Sequence, residues 1–226
     1  MISIILPAYN EEKTIEEVIN RIYNVFLNTE RELIVIDDGS LDKTKDILNK
    51  LQKKYNFVFL AHKKNKGKGS AIRTGFSRVT GEIVIIQDAD LEYNPQDYKY
   101  LLAPFFEKNA MVVYGSRILK NNKKGHWFFY FGGKLMTILA NFLYGLKITD
   151  EPTGYKVFKK SLLERLDLKS EGFEFCSEVT AKIAKLGIKI YEVPISYYPR
   201  GKSEGKKIRL KDGIIGAWTL LKYKFK

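Results

Sequence analysis

The chain is expected to form an α/β domain with a mostly parallel sheet and helices on both faces. Three observations predict this. Short runs of branched apolar residues alternate with amphipathic stretches, the pattern of βαβ units. The 226 residues are 45% hydrophobic and 29% charged, enough to build one substantial core. Finally, each expected strand runs directly into acids, bases or glycines, and open α/β sheets bind ligands beyond the C-terminal ends of their strands.

Residues 2–6 read as the first strand, ended by Pro7. Glu12–Leu27 carries Ile15, Val18, Ile19, Ile22 and Phe26 at helical spacing. Leu33–Ile36 is the second strand, followed by a helix with Ile47, Leu48 and Leu51 on one face. Phe57–Leu60 is the third strand, and Ser70–Val79 a helix that turns Ile72, Phe76 and Val79 inward. Ile83–Ile86 is the fourth strand, a short apolar run suited to a buried position. Pro95 suits a helix start, and that helix is expected to reach Glu107, kinked at Pro104. Met111–Tyr114 is the fifth strand.

Residues 118–126 form a basic loop, and Trp127–Gly145 follows with Lys134 as its only charge. This stretch is too rich in aromatic and aliphatic residues for a solvated helix. Two placements fit it, a core helix or a helix lying in a membrane interface, and Gly132-Gly133 offers a kink. Further on, Tyr155–Phe158 and Lys189–Val193 read as strands. Ser161–Leu166, Cys176–Leu186 and the amphipathic segment Gly213–Phe225 read as helices. No stretch offers the ~20 apolar residues that a membrane span needs.

Lys and Arg number 39 against 26 acids, a formal charge of +13. Such a balance favours anionic partners: phosphorylated small molecules, an acidic membrane surface or nucleic acid. Base-stacking aromatics interleaved with Lys and Arg are not evident, so nucleic acid is not the expected partner. One cysteine, Cys176, excludes an internal disulfide, and with two histidines it argues against structural zinc.

The strand ends carry the chemistry. Asp88 and Asp90 lie two apart after a buried strand, so an extended chain points both to one side. Paired carboxylates there suit a hard cation, Mg2+ or Mn2+, shared with substrate phosphates. Asp37, Asp38 and Glu11 would accept hydrogen bonds from a nucleobase or ribose. Arg117 offers a guanidinium fork matched to phosphate. The basic segment Arg200–Arg209 reads as a lid over a pyrophosphate. Glu174 and Glu178 suit the start of a helix through its dipole, and nothing local separates that role from binding a sugar hydroxyl. Gly67-Lys-Gly69 lacks the third glycine of a dinucleotide fingerprint, because Ile72 stands there. Gly201-Lys-Ser203 lacks the first P-loop glycine, because Ser196 stands there.

Pro7-Ala-Tyr-Asn-Glu11, Asp37-Asp-Gly-Ser40, Asn65-Lys-Gly-Lys-Gly69, Gln87-Asp-Ala-Asp90 and Gly115-Ser-Arg117 follow one another in that order. In this the chain resembles family 2 glycosyltransferases, and more closely the polyprenol-phosphate (dolichol-phosphate) hexose synthases. Thr149-Asp-Glu-Pro-Thr-Gly-Tyr155, Glu192-Val-Pro-Ile-Ser-Tyr197 and Glu204-Gly-Lys-Lys-Ile208 extend the likeness to about residues 1–212. The resemblance implies a single GT-A domain over residues 1–226, with an acceptor loop and interface helix at 118–148 and a basic lid and amphipathic tail at 200–226. It implies inverting transfer of a hexose from GDP-mannose to a polyprenyl phosphate, or alternatively from a UDP-hexose to a polyprenyl phosphate or a saccharide.

By position, the nucleotide sugar would meet Pro7, Ala8, Tyr9, Glu11, Ile36, Asp37, Asp38, Lys68, Gly69, Asp88 and Ala89. Asp88, Asp90 and Glu92 would hold the metal, Glu92 standing where relatives carry Gln. Asp90 and Arg117 would be catalytic, and Arg117, His126, Arg200 and Lys206 would serve the acceptor phosphate and lid. Mannosyl members carry Arg and Ser where His126 and Tyr130 stand here. The expected setting is the cytoplasmic face of a membrane, with peripheral attachment or a membrane-anchoring partner protein.

Overall fold

A computed structural model describes residues 1–123, 125, 127–200 and 207–226. His126 and Lys206, and most of the Glu204–Ile208 motif, therefore lie outside the described residues. Seven strands form one sheet: β1 (Ile2–Ala8), β2 (Arg31–Asp37), β3 (Val58–Ala61), β4 (Ile83–Ile86), β5 (Val112–Ser116), β6 (Lys156–Lys159) and β7 (Tyr191–Pro194). Their spatial order is β3-β2-β1-β4-β6-β5-β7. β1 pairs parallel with β2 and β4, β2 with β3, and β5 with β7. β6 runs antiparallel between β4 and β5.

Side-chain alternation explains why both faces carry helices. Ile4, Leu6, Leu33, Val35, Ile85 and Val113 point to one face and pack on α1 (Ile15–Asn24), α2 (Thr44–Leu51) and α4 (Tyr98–Glu107). Ile5, Ile34, Ile36, Val84, Ile86 and Tyr114 point to the other, against α3 (Lys68–Phe76), the short α6 (Lys160–Leu163) and α7 (Phe175–Lys185). α3 lies close to the sheet: a Cβ on Gly75 would sit 2.7 Å from Ile5 and 2.9 Å from Ile36.

Several boundaries differ from expectation for local reasons. β1 continues through Pro7 to Ala8. β4 pairing stops at Ile5↔Ile86, so Pro7 needs no ladder bond on that side. α1 ends at Asn24, where Val25 turns extended to bury itself, and Phe26 is left 85% exposed. A 3-10 turn at Pro95–Asp97, capped by the Asn94 side chain, precedes α4. Val79 is buried but lies beyond α3.

The largest difference concerns α5 (Trp127–Tyr144), which is one helix with no break at Gly132-Gly133. It is not a core helix. Only Thr137 and Ala140 are buried, and its packed side rests on α7 and α8 (Leu210–Phe225) through Met136, Leu139 and Leu143. Trp127, Phe131, Leu135, Ile138 and Phe142 form an outward stripe, each 59–84% exposed. α8 likewise exposes Leu210, Ile214, Ile215, Trp218 and Phe225. Among the described residues no helix is long and apolar enough to cross a membrane.

Candidate active site

The C-terminal edge of the parallel strands gathers the expected motifs. The antiparallel β6 adds one more, because its N-terminal end lies at that same edge and brings the 149–155 turn with it. A cleft of ≈ 500 Å³ opens there, lined by Tyr9, Asp37, Ser40, Lys45, His62 and Lys63 among others. Asp37 is 1% exposed and accepts the Ser40 N–H at 3.2 Å, while its walls provide aromatic, basic and acceptor groups suited to a nucleoside.

Asp88 and Asp90 stand at the end of β4, each held by a cation. Asp88 accepts from Lys68 at 2.5 Å, and Asp90 from Arg200 at 2.8 Å. Burial raises the Asp90 pKa to about 7, with the negative charges of Asp88 and Glu92 adding to the effect and Arg200 opposing it. Burial works against the charge of Lys68, but Asp88, together with Cys176 and Asp90, raises the ammonium pKa. The chain leaves Asp90 through Leu91 at φ 59°, a left-handed conformation that costs about 1–2 kcal/mol for a residue with a Cβ.

Glu11 lies beside this pair. It accepts from Thr14 at 2.8 Å, Arg200 at 3.2 Å and Lys207 at 2.6 Å. Lys207 also donates to the carbonyls of Tyr9 and Asn10. Arg200 and Lys207, remote in sequence, thus close over the carboxylates that follow β1 and β4. Lys207 was not among the expected site residues.

Four expected ligands have other duties. The Asp38 carboxylate is taken up by its own neighbourhood: His62 at 2.6 Å, Asn65 at 2.9 Å, and the N–H groups of Lys66 at 3.0 Å and Gly67 at 2.8 Å. It builds the 63–69 loop rather than facing the cleft. Ile36 is fully buried in the core and offers a ligand only its backbone. Gly69 donates its N–H to Gly172, and a Cβ there would lie 2.5 Å from the Ser170 carbonyl, so it is needed for loop packing. Glu92 turns its carboxylate to the Arg200 N–H at 2.8 Å and anchors that segment. Among the described residues no three His, Cys, Asp or Glu side chains group as metal donors. Pro7 and Ala8 line the end of β1, and Ala89 is buried, its carbonyl accepting from Thr14 at 2.7 Å.

Arg117 differs from expectation too. Its fork is spent on Asp150, with Nε and Nη2 each at 2.7 Å, and its backbone N–H donates to the same carboxylate at 2.9 Å. Burial opposes its charge and Asp150 outweighs that, holding the pKa well up. Asp150 is in turn fixed by Glu192, which accepts the N–H groups of Thr149 at 2.7 Å and Asp150 at 3.0 Å. The guanidinium also lies 5.1 Å from the Tyr197 ring centroid.

Beneath the carboxylates is a buried anchor that residue typing overlooked. Gln87 is fully buried; its Oε1 accepts from Tyr98 at 2.7 Å and Tyr155 at 2.6 Å, and its Nε2 donates to the Asp88 carbonyl at 2.9 Å. A lone amide between an apolar strand and an acid was the available signal. Gly154 approaches the same point: a Cβ there would lie 2.2 Å from Asp88 Oδ2 and 2.9 Å from the Tyr93 ring. Gly154→Ala should therefore push Asp88 off Lys68 and cost about 1–3 kcal/mol of stability, the level of one lost charge-assisted contact. Urea unfolding would show this, with Gly132→Ala, whose Cβ meets nothing within 4 Å, as the control.

The sequence model of the family described as "Glycosyl transferase family 2" matches residues 3–167. A dolichol-phosphate mannosyltransferase of Pyrococcus furiosus is 30% identical over 91% of this chain, which spans 58% of that relative's length. A UDP-N-acetylglucosamine–dolichyl-phosphate N-acetylglucosaminyltransferase of Methanococcus voltae is 32% identical over 86% of this chain and 84% of its own. Among solved structures, glucosyl-3-phosphoglycerate synthase of Mycobacterium tuberculosis superposes with a TM-score of 0.74 at 22% identity, covering 100% of this chain and 80% of that one, a likeness of fold. With the ordered strand-end motifs and the β4 carboxylate pair gathered at one sheet edge, the chain belongs to glycosyl transferase family 2 and has the GT-A fold.

Proposed function

We propose that this chain transfers a hexose, with inversion, from a nucleotide sugar to a polyprenyl (dolichyl) phosphate. The observation that carries this reading is the Asp88/Asp90 pair beside a nucleoside-sized cleft, in a chain whose relatives are named for dolichyl-phosphate acceptors. GDP-mannose is the first donor to test. A UDP-hexose is the second reading, favoured by the UDP-sugar in the name of the Methanococcus relative.

The donor set fits a divalent cation. Two carboxylates crowd one buried corner, where burial first, and then the charges of Asp88 and Glu92, raise the Asp90 pKa against the pull of Arg200. Asp88 and Asp90 would hold Mg2+ or Mn2+, which when bound supplies positive charge to the leaving diphosphate. Asp37 and Tyr9 would receive the nucleoside. Lys68 and Arg200, now paired with the carboxylates, are placed to turn to the donor's phosphates. The acceptor's phosphate oxygen is anionic at neutral pH, so it attacks without a strong general base. The protein's part is to position the acceptor and compensate charge. Arg117, fixed in place by Asp150 and with its side chain still 23% exposed, has Nη1 left for the acceptor phosphate.

A melting panel with GDP-mannose, UDP-glucose and UDP-N-acetylglucosamine, each with Mn2+ and with chelator, tests the donor site. One donor should raise Tm in a metal-dependent way, since a ligand bound only by the native state stabilises it by mass action. Failure to label polyprenyl phosphate from any of these donors would defeat the reading.

The outward stripes of α5 and α8 would seat the protein on the cytoplasmic face of a membrane, alone or beside an anchoring partner protein. Aromatic and aliphatic side chains facing outward on adjoining helices, with lysines nearby, are the composition of interfacial helices. The double variant Phe131→Asp, Trp218→Asp should lose about 10-fold or more in affinity for anionic vesicles, at ~0.8 kcal/mol per CH2 withdrawn. Sedimentation with vesicles checks this, and unchanged binding would refute the seating.

A further inference from the structure

A separate cleft of ≈ 750 Å³ lies between the 63–69 loop and α3, lined chiefly by Lys64, Lys66, Ser70, Arg73, Thr74 and Glu171. The nucleoside cleft shares Lys64 and Asn65 with it but none of the α3 residues. The wall between the two is the loop that Asp38 holds through Asn65, Lys66 and Gly67. Thr74 extends this wall, 3.0 Å from His62 Nε2, while His62 Nδ1 meets Asp38.

The cleft is basic, and its cations are poorly satisfied. Among the described residues Arg73 makes only distant bonds, to the Leu168 carbonyl at 3.5 Å and Ser70 Oγ at 3.4 Å. Its Nε is buried with no partner. The nearest acid, Glu171, stands 4.0 Å away with 74% of its side chain in solvent. Arg117 shows what a satisfied arginine in this protein looks like, with two bonds of 2.7 Å to one carboxylate. Among the described residues Lys64 and Lys66 have no ion-pair partner. Ser70 accepts from Arg73, which leaves its own O–H as a donor into the same corner.

We propose that this cleft is a second anion site, taking a phosphate-type dianion, and that it is distinct from the donor site. A guanidinium fork with two ammonium groups and a hydroxyl matches a tetrahedral oxyanion, and three cations suit two negative charges better than the one of a carboxylate. The phosphate could belong to a free solute or to a lipid headgroup.

The test uses the whole chain in chelator. Inorganic phosphate is titrated against chloride at equal ionic strength while melting is followed, in wild type, Arg73→Gln, Lys66→Gln and Lys68→Gln. Lys66 is exposed, so its variant guards against misfolding of the arginine variant. In parallel, vesicles containing phosphatidic acid are compared with phosphatidylserine vesicles of equal surface charge. The expected result is a phosphate-induced rise in Tm that survives in Lys68→Gln and weakens about 10-fold or more in Arg73→Gln and Lys66→Gln. A phosphatidic acid preference that Arg73→Gln and Lys66→Gln abolish would support the site with a headgroup as the source. A phosphate response lost in Lys68→Gln would overturn the proposal, since the anion would then be reading the donor site. So would the absence of both a phosphate response and a vesicle preference that depend on Arg73 and Lys66.

Discussion

Asp90→Ala should lower transfer by roughly 1,000-fold or more, the scale on which removing one preorganised charge-stabilising group acts, without lowering the melting temperature. The two halves of this expectation have one cause. Asp90 is pressed between Asp88 and Glu92 in a buried corner, and its pKa is raised to about 7. An acid whose folded pKa lies above its ordinary value binds its proton more tightly in the folded state. Its ionised form therefore costs stability as pH rises from about 4 through 7. Deleting the carboxylate relieves that cost, and Arg200 keeps Glu11 as partner. A group placed for stability would behave in the opposite way. Melting curves with and without Mn2+, beside a transfer assay, make the comparison; a variant that transfers sugar at the wild-type rate would end the metal-site reading.

Glu178→Gln should be the most damaging single change to stability outside the hydrophobic core. Glu178 is fully buried, and its carboxylate accepts from the Lys169 N–H at 2.9 Å, the Ser170 N–H at 2.7 Å, Lys182 at 2.7 Å and the Tyr223 hydroxyl at 2.7 Å. It thereby ties α7 to the 169–170 loop and to α8. Burial alone would raise its pKa, but the bonds from Lys182, Ser170 and Tyr223 overcome this and hold it at about 2, against an ordinary 4.5. A depressed acid contributes stability that is fully present above pH 4.5 and is lost as pH falls towards 2. The difference corresponds to about 3 kcal/mol at neutral pH. For a chain of 226 residues this is roughly 6–12 °C in Tm. Glutamine would also set an amide donor against donors. Urea unfolding of both proteins should show a gap that shrinks by half or more between pH 7 and pH 3. A gap that is small at pH 7, or constant with pH, would contradict this account.

Much of the site was legible because it is built at strand ends, and strand ends are where sequence pattern changes most abruptly. Ile83–Ile86 followed by Asp88 and Asp90 could be read directly, since an apolar run that stops in acids has few structural uses. The placing of Asp37 at the end of β2 and the helices on both faces follow from the same alternation. Three features were not legible. β6 could be recognised as a strand, but its direction depends on tertiary pairing, and with it the arrival of Gly154 and Asp150 at the site. Asp38 looks like its neighbour in sequence, yet the 63–69 loop folds onto it and claims its oxygens. α5 carried a composition fit for a core, and only the placement of α7 and α8 decides which of its faces is covered. The Glu174–Glu178 acids were read as helix-dipole partners, a reading that misses the four groups converging on Glu178.

The place of β6 in the sheet also governs how the chain assembles. β4 pairs with β1 along one side and with β6 along the other, and residues 87–155 intervene before β6 is made. As the chain emerges during synthesis, β1 to β4 have all their mutual partners, but one row of β4 amides and carbonyls stays open. That row belongs to Ile83–Ile86, whose side chains are apolar throughout. An open apolar strand edge is the template on which chains pair with one another. The long sequence separation between β4 and β6 makes their pairing a slow, late event. The strand that ends in the Asp88 and Asp90 carboxylates is thus also the one most exposed to mispairing before the fold closes.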